Sequence, residues 1–311
     1  MKPLTRLVRL AAPILATAGL CACNGSVTVN LADTPVDGAT SVVVDFTGIV
    51  LHSTAGKTTT ITFPSPQQID LLQLQNGVTQ ALLQSQSVPS GSYDSIQLSV
   101  LANANTQGQS YITLNTGAQY PLYVPSGSES ALTISTPFSV GQGGTTQLII
   151  EFNLRQSVTS TDGQNYTLVP AMHLANQSQV GTLTATVDLT ALATQQLGSA
   201  AQISQCAAGL FIFSGSSVTP QNGGGASLID FQPIPYDGET TQASLSFPYL
   251  AKGSYTVAAT CDYNLYDPTA TPGQSGYQAL HWTVLQNVSV TANSTTTDNL
   301  PSGTTSKVIV D

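Results

Sequence analysis

Short runs in which apolar and polar residues alternate recur along most of the chain, and they constrain its fold more than any other feature. Clear examples are residues 42–47, 96–101 and 183–189. Because successive side chains of a β-strand point to opposite faces, each run predicts a strand with one buried face. Turn-forming residues, for example at 89–91 and 237–238, separate the runs. The pattern predicts an all-β protein made of two β-sandwich domains of immunoglobulin-like type.

Helical signals are few and short. Residues 67–74, 78–83 and 189–197 each have room for a short helical segment, and none carries a long amphipathic stripe. Helices are therefore expected to be minor elements.

The chain is poor in charge and rich in apolar residues. Charged residues make up 7%, against roughly a quarter in an average soluble protein, whereas hydrophobic residues make up 41%. This composition argues against a disordered chain and against coiled coils, which need charged exposed faces. With 7 basic and 16 acidic residues, the net charge of −9 argues against nucleic acid as a partner.

The N-terminus has the three parts of an export signal. It begins with a positively charged region formed by Lys2, Arg6 and Arg9. The apolar run 10–20 follows and is too short to span a bilayer comfortably. The next residues, Leu20-Cys21-Ala22-Cys23, resemble the bacterial lipobox. They predict a lipoprotein signal peptide at 1–22 and a fatty acid such as palmitate on the anchor at Cys23, with an ordinary secretory signal peptide as the alternative.

Lipid attachment would give stable anchoring, since each buried CH₂ group adds about 0.8 kcal/mol. By resemblance to lipoprotein sorting signals, Asn24 after the anchor favours the outer membrane, on its periplasmic face or at the cell surface. The mature body would carry 4 basic and 16 acidic residues, because the three basic residues of 1–22 are removed.

A polar stretch at 176–181 marks a predicted domain boundary, which divides the mature chain into residues 23–178 and 179–311. The two halves share a Gly-Ser-Tyr sequence, at 91–93 and at 253–255, and each copy leads into an alternating strand. The expected role of each copy is a tight turn followed by a tyrosine ring that covers the end of a sandwich.

The first half resembles domain of unknown function family 4382, which is found in bacterial lipoproteins. The resemblance implies a fold and a compartment but no activity, and the family tends to have Asp where this chain has Glu151 and Asn153. The matching stretches follow the family order and are Leu31-Ala-Asp-Thr-Pro-Val-Asp37, Val42-Val-Val-Asp-Phe46, Ile69-Asp-Leu-Leu-Gln-Leu74, Pro89-Ser-Gly-Ser-Tyr93, Leu122-Tyr-Val-Pro-Ser126, Leu148-Ile-Ile-Glu-Phe-Asn-Leu154 and Tyr166-Thr-Leu-Val-Pro170.

The second half is similar to the transthyretin-like sandwiches called carboxypeptidase regulatory-like domains. Lys252-Gly-Ser-Tyr-Thr-Val257 and the strand around it carry this shorter resemblance.

Two cysteines remain after the anchor, Cys206 and Cys261. Strand alternation places both thiols toward the same apolar core, and an exported compartment permits their oxidation. A Cys206–Cys261 disulfide is therefore predicted, with two free buried cysteines as the alternative.

The sequence offers no recognisable catalytic or cofactor motif. His52, His173 and His281 lie far apart and have no predicted orienting partner, so we expect no enzyme, no metal and no cofactor. Asp33 with Asp37, and Asp262 with Asn264 and Asp267, have oxygens suitable for calcium. Turn capping is the default role for both groups.

Aromatic residues crowd the second half, and four of them are candidates for weak ligand binding. Exposed tyrosines can stack on sugars or contact proteins, whereas rings that close the sandwich ends are the alternative. We therefore predict a lipid-anchored envelope protein with a non-catalytic binding or scaffolding role, whose partner is an envelope protein or a glycan. The alternative function is a carbohydrate- or small-ligand-binding lipoprotein. These aromatic residues are Tyr236, Tyr249 and the four candidates, Tyr263, Tyr266, Tyr277 and Trp282.

Overall fold

Strands dominate the protein, and the predicted all-β sandwich class is confirmed. The structure is a computed structural model, and Cys23 and the predicted signal peptide lie outside the residues that it describes. It describes residues 24–34, 38–75, 77–102, 109–124, 131–160, 163–223, 225, 227–268, 270–283, 285–300 and 309–310.

The first half contains thirteen strands and a single α-helical turn in the described residues. In chain order these are β1 (Asn24–Thr34), β2 (Ala39–Ser53), β3 (Thr58–Asp70), β4 (Gln80–Pro89), β5 (Gly91–Val100), β6 (Tyr111–Leu114), β7 (Gln119–Tyr123), β8 (Ala131–Ile134), β9 (Phe138–Val140), β10 (Thr145–Asn153), α1 (Leu154–Ser157), β11 (Val158–Ser160), β12 (Tyr166–Leu168) and β13 (Met172–Asn176).

These strands form two sheets around one hydrophobic core. One sheet has the order β13-β10-β1-β4, with β1 and β10 parallel. The other runs β11-β12-β7-β6-β2-β5-β8, with β3 paired to β2 and β9 paired to β5. Phe46 of β2 and Phe152 of β10 meet edge to face in the core, with ring centroids 6.3 Å apart. The core therefore joins side chains of both sheets.

The second half contains nine further strands and one longer helix within the described residues. They are β14 (Val180–Asp188), α2 (Leu189–Leu197), β15 (Ala208–Ser214), β16 (Leu228–Ile234), β17 (Gln242–Ala251), β18 (Gly253–Thr260), β19 (His281–Trp282), β20 (Gln286–Val290), β21 (Thr295–Leu300) and β22 (Ile309–Val310).

The two larger sheets of this half have the orders β17-β14-β21 and β16-β15-β18-β20, and β19 pairs with β22. The predicted alternation in β14 is confirmed, because Leu183, Ala185 and Val187 are fully buried in the core. The sheet β16-β15-β18-β20 is apolar on both faces. Its second face bears Phe211 and Phe213, which pack with residues of the segment after β18.

The prediction of a helix at 189–197 is confirmed by α2. The Asp188 carboxylate accepts a hydrogen bond of 2.9 Å from the Ala191 N–H, and Gly198 ends the helix in the left-handed region at φ 84°. The expected turn at 67–74 shrinks to a 3-10 helix, Leu71–Leu74. The helix expected at 78–83 is wrong, since most of that segment belongs to β4, which pairs with β1.

The two Gly-Ser-Tyr sequences build the same local structure. Tyr93 at the start of β5 is 2% exposed, and its hydroxyl donates to the Pro89 carbonyl at 2.6 Å. Tyr255 at the start of β18 is also buried, at 6% exposed, and its hydroxyl donates to the Ala251 carbonyl at 2.6 Å. Each tyrosine thus fixes the entry into its strand by bonding the backbone four residues upstream.

Within the described residues, no sheet combines strands from both halves of the chain. β13 ends at Asn176, β14 begins at Val180, and a 3-10 helix, Gln177–Gln179, lies between them. The boundary predicted between 178 and 179 falls in this turn and stays a prediction. In the part of the chain that the structure describes, no helix has both the length and the apolar character needed to cross a bilayer.

Candidate functional site

A groove of about 850 Å³ opens at the end of the sheet β16-β15-β18-β20, where β15 begins and β16 ends. The two strands pair there through Ala208 and Ile234 and through Gly209 and Pro233. One wall is formed by residues 204–208 and the other by residues 233–238, and Tyr263 contributes from the segment after β18.

The disulfide fixes the first wall. The predicted Cys206–Cys261 bond is confirmed, with 4.5 Å between the two Cα atoms. Cys206 follows the 3-10 helix Ala200–Gln205, and its N–H donates to the Ile203 carbonyl. The N–H of Cys261 donates to Oε1 of Gln196 in α2 at 2.6 Å. The disulfide and this hydrogen bond therefore hold α2, the wall at 204–208 and the end of β18 together.

Tyr263 lies in the groove because Gly209 has no side chain. A Cβ atom on Gly209 would lie 2.4 Å from Cδ2 of Tyr263, so only glycine lets this ring cover β15. The Tyr263 N–H donates to the Ala207 carbonyl at 2.9 Å. Its ring also packs at a tilt against Phe211 and Phe231, with centroids 6.1 and 6.3 Å away. The ring is half-buried and held on two sides.

The second wall is a rigid turn. The Asp237 carboxylate accepts hydrogen bonds from the Thr240 hydroxyl at 2.6 Å, from the Thr240 N–H at 2.7 Å and from the Glu239 N–H at 2.9 Å. These bonds, led by the one from the Thr240 hydroxyl, lower the pKa of Asp237 to about 2. The Tyr236 hydroxyl donates to the Gly238 carbonyl at 3.0 Å, which holds that ring at the rim.

The described lining of the groove is mostly apolar and almost uncharged. Among the described residues that line it, Asp237 is the only charged side chain, and its oxygens already serve the turn. Two prolines, Ile234 and two tyrosine rings supply the apolar surface. In the described part of the chain, no group of three His, Cys, Asp or Glu residues is placed to hold a metal ion.

Only one of the four predicted aromatic residues lines this groove. Trp282 is fully buried and lies edge-on to Phe211, with centroids 5.0 Å apart. The Tyr266 ring packs 4.7 Å from that of Phe231, and burial raises the pKa of its hydroxyl. Tyr277 is half-buried outside the groove.

The prediction of ligand contact is thus corrected for Trp282, which belongs to a core. The segment after β18 folds back over the second face of the sheet, so its rings cover Phe211 and Phe231. Sequence reasoning missed Tyr236 as a site residue. The available signal was its position between the Pro233-Ile-Pro235 run and the Asp237-Gly238 turn.

The expectation that no histidine has an orienting carboxylate is wrong for His281. Its ring Nδ1 lies 2.8 Å from Oδ2 of Asp262, which also accepts the His281 N–H at 2.8 Å. Asp262 is therefore engaged with the start of β19. Asn264 and Asp267 are exposed in the same loop. The other predicted group of calcium ligands is Asp33 with Asp37, and Asp37 lies outside the described residues.

The fold and the groove define an all-β protein with a largely uncharged groove in the described part of its second half. Residues 24–170 match the family model described as Domain of unknown function (DUF4382). The first half of the chain is therefore a domain of this family, as predicted. The transthyretin-like character of the second half stays a prediction. No curated protein matches the chain.

Solved structures show weak likeness. A leucine-rich repeat protein from Bacteroides thetaiotaomicron is 13% identical with a TM-score of 0.21, and the match covers 90% of this chain and 26% of that one. CBMbc (family CBM26) from Eubacterium rectale Amy13K, in complex with maltoheptaose, is 12% identical with a TM-score of 0.22. That match covers 91% of this chain and 96% of CBMbc. The fimbrial anchor protein Mfa2 from Porphyromonas gingivalis is 14% identical with a TM-score of 0.19. That match covers 77% of this chain and 79% of Mfa2. These likenesses are too weak to indicate a ligand.

Proposed function

We propose that this protein is a lipid-anchored, non-catalytic binding protein of the bacterial outer membrane, and that the groove beside the disulfide binds neutral carbohydrate. The observation that carries the proposal is the pair of tyrosines, Tyr236 and Tyr263, on a groove whose walls are fixed by a disulfide and by a closed turn.

A neutral amphipathic ligand fits this lining better than an ionic one. The groove presents tyrosine rings and prolines to the apolar face of a ligand, while the exposed side chains of Ser204 and Gln205 are polar partners for its hydroxyl groups. No basic side chain is present among these described residues to attract an anion. The Asp237 carboxylate is engaged in its own turn and is a poor partner for a cation. A sugar combines the required apolar face and hydroxyl groups.

Preorganisation supports a binding role. Tyr263 is packed against two aromatic rings, and the wall at 204–206 is tied to β18. A ligand therefore orders few side chains when it binds, which limits the entropic cost.

The test is a screen of neutral glycans against the soluble chain 24–311, followed by titration calorimetry of any hit. Tyr236→Ala and Tyr263→Ala are each expected to weaken binding at least about tenfold, as loss of an aromatic anchor does. Tyr277→Ala is the matched control, because that ring lies outside the groove, and it should keep the wild-type affinity. Absence of glycan binding, or equal loss in the Tyr277 variant, would overturn the carbohydrate assignment and favour an envelope protein as the partner.

The anchor has its own test. Cells fed a radiolabelled fatty acid are expected to label the wild-type protein and the Cys21→Ala variant, whereas Cys23→Ala should lose both the label and its place in the outer-membrane fraction. Label retained by the Cys23 variant would refute lipidation at this residue.

A further inference from the structure

The two halves of the chain meet at a junction that contains buried carboxyl groups from each side. On the first half, Glu151 lies in β10 and is 8% exposed. On the second half, Asp230 lies in β16 and is 6% exposed. The cross-strand neighbour of Glu151 contacts the residue before Asp230, and the charge of Asp230 contributes to the raised pKa of Glu151.

Polar contacts on both sides of Asp230 join β16 to the first half, one from β13 and one from α1. His173, the cross-strand neighbour of Glu151 in β13, places its Nε2 3.1 Å from the Ile229 carbonyl. Nη1 of Arg155 in α1 donates to the Phe231 carbonyl at 3.2 Å, and its guanidinium lies over the Phe231 ring. Asp230 is therefore enclosed between two interdomain hydrogen bonds.

The second half also contacts the first through β17. The Tyr249 hydroxyl donates to the Gly77 carbonyl, and Tyr249 is held in the left-handed region at φ 59° within its strand. Val180 completes an apolar contact with Ala32 and Ile149. The junction is thus a packed surface that leaves little of either carboxyl residue exposed.

The charges at this surface do not balance when both carboxyl groups are ionised. Facing them are His173, Arg155 and two tyrosines, Tyr249 and Tyr255. Burial lowers the pKa of His173 and raises the pKa of both tyrosines, so that His173 tends to be uncharged and the tyrosines stay neutral at pH 7. Of these facing groups, only Arg155 keeps a positive charge.

We infer that the junction between the two halves is a proton-dependent contact: it closes when Glu151 and Asp230 carry protons and opens as rising pH removes them.

The direction follows from proton binding. Burial, with a further contribution from the charge of Asp230, raises the pKa of Glu151 well above its usual range. Burial raises the pKa of Asp230 to about 7, although the Phe231 N–H and Arg155 act in the opposite direction. In an open junction both groups are in water with pKa values near 4. The closed state therefore binds more protons, and closure is strongest below about pH 4 and weakens as the pH rises toward 7.

The size of the effect follows from the same linkage. Across that pH range, each of the two carboxyl groups raises the ratio of open to closed molecules about tenfold per pH unit. A lipid-anchored protein with such a junction would present its second half differently in acidic and in neutral surroundings.

Small-angle X-ray scattering of the chain 24–311 between pH 4.5 and 8 tests the inference. The radius of gyration of the wild-type protein is expected to increase with pH, and that of Glu151→Gln/Asp230→Asn to stay small throughout. Asp237→Asn is the matched control, since Asp237 is exposed and its carboxylate bonds within the turn after β16, and it should follow the wild type.

A wild-type radius that is constant over this range, or a double variant that expands like the wild type, would overturn the inference. If the double variant does not fold, Glu151→Gln alone decides. In this variant the ratio of open to closed molecules should rise about tenfold per pH unit. In the wild type it should rise about a hundredfold, because there two carboxyl groups lose protons on opening. An unchanged dependence in that variant would also overturn the inference.

Discussion

Loss of the Cys206–Cys261 disulfide is expected to lower the free energy of unfolding of the second half by about 4 kcal/mol. The bond joins residues separated by 55 positions. Closing a loop of that length removes chain entropy from the unfolded state, which amounts to about 4 kcal/mol at 25 °C. For a urea m-value of about 2 kcal/mol/M, the midpoint of unfolding should fall by about 2 M.

The single tryptophan of the chain makes this measurement specific. Trp282 is fully buried in the second half, so its fluorescence reports the unfolding of that half during a urea titration. Oxidised protein, the same protein reduced, and Cys206→Ala/Cys261→Ala are compared. The reduced protein keeps both sulfur atoms, and its shift therefore measures the cross-link alone. A shift of less than about 0.5 M in the reduced protein would refute chain entropy as the source of the stability.

Three further changes have definite expected results. Gly209→Ala should destabilise the protein by about 1–3 kcal/mol in thermal unfolding, because the new Cβ would lie 2.4 Å from Cδ2 of Tyr263. Thr240→Val should raise the pKa of Asp237 from about 2 toward its usual value, as followed by NMR titration of the carboxyl group. Because this pKa is lowered by folding, the stability it brings is present above about pH 4 and is lost as the pH falls toward 2. Trp282→Ala should cost about 3–5 kcal/mol in urea unfolding followed by circular dichroism.

Two of these changes have a matched control. The control for Gly209→Ala is Gly253→Ala, whose new Cβ would lie 3.9 Å from the Ala251 carbonyl oxygen, an ordinary contact distance. It should change stability by less than about 0.5 kcal/mol. Thr241→Val, one residue further along the chain, should leave the pKa of Asp237 unchanged. A Gly209 variant as stable as wild type, or a Trp282 variant that loses less than about 1 kcal/mol, would contradict the packing described above.

Local signals in the sequence were sufficient for much of the fold. The alternation at 183–187 predicted a strand with one buried face, because the side-chain period of a strand does not depend on its partners. The helix at 189–197 was predictable, since Asp188 and Gly198 cap it from within the same segment. The segment 78–83 was not, because its pairing with β1 overrides a local helical preference.

The candidate site was only partly predictable. Tyr263 was named from the aromatic content of its loop, and Cys206 and Cys261 from strand alternation. Trp282 was misplaced because its burial depends on a loop that folds over Phe211, which lies 71 positions earlier in the chain. Tyr236 was passed over because it reaches the groove only when β15 and β16 pair.

The sequence alone determined the strand-rich class, the family of the first half and the two cysteines able to bridge, since each of these is encoded in short stretches or in residue type. Tertiary structure alone decided which tyrosines share a groove, that His281 meets Asp262, and that Glu151 faces Asp230. These contacts join residues that are distant in the chain, and only the packing of sheets against each other brings such residues together.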